Sequence, residues 1–152
     1  MFTNWIFSEN VTTLYCYGNQ LTSLEYCPKN IITLYCSDNQ ITSLEHCPAS
    51  VIKLTCGNNQ LTSLEYCPKG ITELHCNDNQ LTSLEHCPAS VTLLTCYNNQ
   101  LTSLKHCPAS VTILECGNNQ LNDKYKDLSL FEIHNVNIKM ILWMFIANVW
   151  LL

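Results

Sequence analysis

The sequence predicts a solenoid, a chain that winds one short parallel strand and one extended return per turn, with few or no helices inside the turns. Three observations carry that prediction. A twenty-residue phrase recurs from Val11, Ile31, Val51, Ile71, Val91 and Val111, and self-similarity at a fixed period of this size is the signature of stacked repeats. Within each copy the apolar residues fall at positions 1, 4, 6, 11, 14 and 17. They match neither a steady helical period nor a long alternation, and mark a coil that turns its apolar side inward once per copy. A proline at position 18 closes all five complete copies, from Pro28 to Pro108, where its fixed φ and missing N–H oppose a helix.

The elements follow in order along the template (V/I)-x-x-L-x-C-x-x-N-Q-(L/I)-T-S-L-x-x-C-P-x-x. Leu14-Tyr15-Cys16 alternates in, out, in, which is a short strand, and its six copies stack as a parallel sheet at about 4.8 Å spacing. Asn19 follows the strand, with Asn39, Asn59, Asn79, Asn99 and Asn119 in the same slot. An amide carries two donors and an acceptor, so it serves backbone groups left unpaired where the chain leaves the sheet. The return, Leu21 to Pro28, has little length for a helix and is expected to be extended or 3₁₀-like.

Three regions result. Residues 1–10 align with a return half, Phe7 falling in a cysteine slot, and read as an N-terminal half-coil cap. Residues 11–121 are the repeat array. Residues 122–152 lose the template and read as a C-terminal cap or tail, because a solenoid must cover its exposed core end. Met140 to Leu152 is nearly all apolar, but thirteen residues fall short of the ~20 that span a bilayer. A cap is therefore preferred to a membrane anchor, with a fragment end as a third reading.

Composition narrows the function. Of the 152 residues 12% are charged, the net charge is −5, and the seven basic residues stand singly, so no patch exists to neutralise a nucleic-acid backbone. Met1 to Glu9 shows neither a basic n-region nor a long apolar run, which does not support a secretory signal and makes the cytoplasm the default compartment. The eleven cysteines are odd in number and alternate in spacing between 11 and 9. They occupy two apolar slots of the template, where free cysteine acts as a small buried hydrophobe. Stacked strands are close enough for disulfides, and it is the reducing compartment that argues for free thiols.

The run LxxLxCxxNQL, as in Ile71, Leu74, Cys76, Asn79 and Leu81, resembles the highly conserved segment of leucine-rich repeats. The twenty-residue period resembles the short bacterial-type class found in effectors of pathogens. Cysteine in the sixth slot, the Asn-Gln-Leu-Thr-Ser-Leu phrase and the closing Cys-Pro look most like leucine-rich-repeat proteins of amoeba-infecting giant DNA viruses. The resemblance covers residues 11–121. It implies a right-handed superhelix with the parallel sheet on its concave face, and for a viral protein it implies the host cytoplasm. Some bacterial effectors carry a cysteine-dependent ubiquitin-ligase domain after the repeats. The 31 residues after Leu121 contain no cysteine, so that activity is not carried over.

The copies differ most at the outward strand slots. Position 3 runs Thr13, Thr33, Lys53, Glu73, Leu93, Ile113; position 5 runs Tyr15, Tyr35, Thr55, His75, Thr95, Glu115; position 7 runs Tyr17, Ser37, Gly57, Asn77, Tyr97, Gly117. A curved sheet presents such residues as a broad surface, with tyrosines supplying amphipathic contact area. Tyr15, Tyr17, Tyr35, Lys53, Glu73, His75, Tyr97 and Glu115 are thus the candidate partner-binding residues, although Lys53 and Glu73 on neighbouring strands suit a simple ion pair. The return tails alternate between Glu-Tyr and Glu-His, which suggests duplication of a forty-residue pair. Histidine beside cysteine invites a zinc reading, but no Cys-x-x-Cys occurs and adjacent side chains diverge. No nucleophile, base and orienting acid converge, and no phosphate-binding glycine loop is present. The expectation is a non-catalytic protein-binding module with an unidentified protein partner and without cofactor, metal, nucleic acid or membrane. The alternatives are a truncated or decaying repeat protein with no partner of its own and a repeat protein associated with a membrane through its C-terminus.

Overall fold

A computed structural model of the chain describes residues 10–125 and residue 133. Six three-residue strands, β1 (Thr13–Tyr15), β2 (Thr33–Tyr35), β3 (Lys53–Thr55), β4 (Glu73–His75), β5 (Leu93–Thr95) and β6 (Ile113–Glu115), form one sheet. Their order in the sheet is their order in the chain. All pairs are parallel, and each register joins equal template positions, Leu14 to Leu34, Leu34 to Leu54 and onward. The strands begin one residue earlier than the alternation alone suggests. Cys16 then extends the ladder, its N–H donating to the Tyr35 carbonyl at 2.8 Å.

Two side-chain slots turn the backbone out of the sheet. In the third copy Asn59 Nδ2 donates to the carbonyls of Cys36, Cys56 and Gly57 at 3.0, 3.1 and 3.2 Å, while its Oδ1 accepts from the Ile41 N–H at 2.9 Å. One amide thereby ties its own turn to the preceding one, and Asn39, Asn79, Asn99 and Asn119 repeat the bonds to the carbonyls. The residue before it lies in the left-handed region in every copy: Gly18 at φ 67°, Asp38 at 57°, Asn58 at 51°, and Asp78, Asn98 and Asn118 at 52°. Only glycine enters that region freely, and among side chains asparagine and aspartate tolerate it best.

The return half contains no helix in any of the five complete copies. Two tight turns replace it, one closed by the Cys27 N–H on the Leu24 carbonyl at 2.9 Å, the other in the second copy by the Val51 N–H on the Pro48 carbonyl at 3.1 Å. Ser23 Oγ accepts from the Glu25 N–H at 3.1 Å inside the first turn. Ser50 Oγ lies 2.7 Å from the carbonyls of both Lys29 and Ile31, fastening the second turn to the previous coil.

The core is a column of equivalent layers. Leu34, Leu54, Leu74 and Leu94 from the strands and Ile41, Leu61, Leu81 and Leu101 from the returns have no exposed surface. Cysteines fill the gaps as two ladders, and all eleven are free thiols. Desolvation by burial, and for Cys16 the charge of the neighbouring Cys27 thiolate, push the Cys16 thiol up from 9.0 to about 12. Tyr125 and the helical Ile133 join this core, 2% and 3% exposed. The half-coil cap assigned to residues 1–10, except Asn10, and the apolar segment Met140 to Leu152 lie outside the described residues. Among the described residues no helix is long and apolar enough to cross a membrane.

Candidate binding face of the sheet

Strand alternation places positions 3 and 5 outward, on either side of a buried leucine, and the structure sorts the candidate residues into groups. Tyr15 and Tyr35 stack with their ring centroids 4.7 Å apart and their planes parallel, because position 5 of adjacent parallel strands is held in register. Tyr15 and Tyr17 are 65% and 61% exposed, so this end of the sheet is an aromatic corner. Lys53 Nζ lies 2.7 Å from Glu73 Oε1. The hydrogen bond and then the charge of Glu73 raise the Lys53 pKa, so the two are committed to one another. His75 Nδ1 is 3.0 Å from Thr95 Oγ1, and Thr95, outward in the strand pattern, is buried to 6% exposure. Tyr97 is half-buried and Glu115 exposed. Among the described residues no hydrogen bond, ion pair or ring contact joins either to the other candidates.

Beside the strands of the second, third and fourth copies lies an open depression of about 540 Å³. Its floor and walls are Thr55 and His75 from position 5, Ser37, Gly57 and Asn77 from position 7, and Asp38, Asn58 and Asp78 from position 8. Gly57 shapes it: a Cβ there would stand 2.9 Å from both polar atoms of the Asn77 amide. The missing side chain lets Asn77 lean across and donate to Asp78 Oδ2 at 2.7 Å. Along the rim Asn58 donates to Asp38 Oδ1 and Asn98 to Asp78 Oδ1, both at 2.6 Å. Of the residues expected from the sequence only His75 reaches this depression. Asp38 and Asp78 were concealed in a slot that varies among glycine, asparagine and aspartate. That restriction is itself the signal, since it marks a left-handed turn on the rim. Among the described residues no group of three or more His, Cys, Asp or Glu side chains is placed to hold a metal ion.

No protein-family model matches the chain, and no curated protein matches it. Among solved structures it is similar to the functional domain of InlJ from Listeria monocytogenes, which includes a cysteine ladder. The TM-score is 0.50 at 24% identity, over 69% of this chain and 28% of that one. The fold is a leucine-rich-repeat-type solenoid. The present chain spans little more than a quarter of that protein's chain, and the likeness concerns the fold alone.

Proposed function

We propose that the array is a non-catalytic module that binds a protein partner through the outward face of its sheet. The observation that carries this reading is the contrast within one chain. The return phrase is nearly copied from turn to turn, whereas the outward strand slots differ and gather Tyr15, Tyr17 and Tyr35 into an exposed corner. Tyrosines of this kind contribute large contact area with few torsions to immobilise. The free thiols suit a reducing cellular interior, which is where we place the module. The same face lacks a basic patch, which favours protein over nucleic acid.

The test compares two alanine variants, one on each face. Y15A/Y35A/H75A alters the sheet face and E65A/Y66A the return face; each is immobilised and offered cell lysate, with bound proteins identified by mass spectrometry and folding checked by circular dichroism. The sheet-face variant is expected to lose proteins that the wild type captures, while the return-face variant keeps them. Greater loss in E65A/Y66A would overturn the assignment.

A further inference from the structure

Building on the sheet-face reading, we propose that the partner presents an extended, arginine-bearing segment, with guanidinium groups received at Asp38 and Asp78 on the rim of the depression. The first argument is charge. Positions 3, 5, 7 and 8 of the six copies carry four carboxylates, Asp38, Glu73, Asp78 and Glu115, against one ammonium, Lys53. Lys53 is held by Glu73 at 2.7 Å, which leaves the other three carboxylates without a cation among the described residues. A surface of one sign attracts a partner segment of the other and repels its own.

The second argument is the local chemistry of the rim. Asp38 and Asp78 are bonded to neutral amides, from Asn58, Asn77 and Asn98. These orient the carboxylates without neutralising them, and Asp38 Oδ2 has no partner among the described residues. Oriented carboxylates with spare lone pairs suit the planar guanidinium fork better than an ammonium. The stacked tyrosines offer a cation the face of an aromatic ring on the same sheet. Spacing supplies the third argument. Asp38 and Asp78 are two strands apart, about 9.6 Å at ordinary strand separation. A polyproline-type segment repeats its side-chain direction every third residue, about 9.3 Å along its axis. Arginines three residues apart therefore match the two carboxylates.

The test uses a fluorescent twelve-residue peptide with arginine at every third position and prolines between, and its glutamine and glutamate counterparts, by anisotropy with the whole chain. D38N/D78N removes the charges and spares the turn, since Asn58, Asn98 and Asn118 already hold that slot at φ 51°, 52° and 52°. Asn98 also accepts from Asn118 at 2.8 Å as Asp38 does from Asn58. The arginine peptide is expected to bind, the other two not, and D38N/D78N to weaken binding about tenfold, as loss of close charge pairs does. E25Q/E65Q, which removes two charges from the return face, is expected to change it less than about twofold. Equal loss in both variants, equal binding of the glutamine peptide, or binding indifferent to D38N/D78N would each overturn the proposal. The sheet-face reading is scored separately on the captured partner. Loss in Y15A/Y35A/H75A with full retention in D38N/D78N keeps that reading and removes this one, whereas retention in both removes both.

Discussion

Asn59 concentrates the physics of the fold in one side chain. Its amide serves three carbonyls from two successive turns and one N–H from a return, and it is only 8% exposed. Asn59→Ala strands those groups in a dry site, at roughly 1–3 kcal/mol for each one left unsatisfied. We expect a loss of about 3 kcal/mol or more in urea unfolding. Asn59→Asp keeps the shape but aims a carboxylate oxygen at carbonyls, so its folded-state pKa is raised above the unfolded value. Its destabilisation should be larger than that of the alanine at pH 7 and should shrink toward pH 4, where the carboxyl is protonated. A deficit independent of pH would mean the site admits water. This ladder was legible in the sequence because the same residue fills the slot in every copy. The neighbouring slot was not: it holds Gly18, Asp38, Asn58, Asp78, Asn98 and Asn118, a set chosen by backbone angle rather than by side-chain chemistry. Two charges of the candidate site were therefore invisible to a template built on residue identity.

At the scale of one turn, the strand and its return form a unit that cannot bury its apolar face alone. The turns were readable as units because the apolar slots and the closing proline repeat without slippage. What the period could not show is how neighbouring turns share outward side chains, as when His75 covers Thr95. Equivalence of the units gives a direct prediction. Excising residues 51–70 joins Ser50 to Ile71, pairs Leu34 with Leu74 in unchanged register, and puts the Ser90 hydroxyl against the carbonyls of Ala49 and Ile71 as Ser110 now meets Ala89 and Val91. The shortened chain should fold and unfold in one step, with a smaller urea m-value in line with the surface removed. Excising residues 51–60 instead puts a return where a strand belongs and should abolish the cooperative transition. If both deletions behaved alike, the turn would not be the structural unit.

At the largest scale, the described repeat array is one column sealed by sulfur as much as by leucine, and that gives it an alkaline limit. Burial pushes the thiols of Cys27 to about 11 and of Cys47, Cys87 and Cys107 to about 12, from 9.0. Desolvation raises Cys36, Cys56 and Cys76 as well. In the unfolded chain the same groups ionise near 9, so above that pH the unfolded state holds fewer protons than the folded one. Stability is then intact below about pH 9 and falls as pH rises toward 12, by up to about 1.4 kcal/mol per thiol per pH unit. Eight of the eleven thiols are buried in the core, while Cys47, Cys87 and Cys116 pack against it partly exposed and count for less, so a domain stability of about 5–15 kcal/mol is exhausted within roughly two units. Unfolding by circular dichroism under reductant should therefore be cooperative and complete by about pH 11. Cys27→Ala with Cys107→Ala, at the ends of the return ladder, should lower stability at pH 7 yet make its decline above pH 9 shallower, because two proton-releasing groups are gone. Stability that stayed level from pH 8 to 11 would show the thiols ionising inside the folded chain, and the sealed column would have to be abandoned.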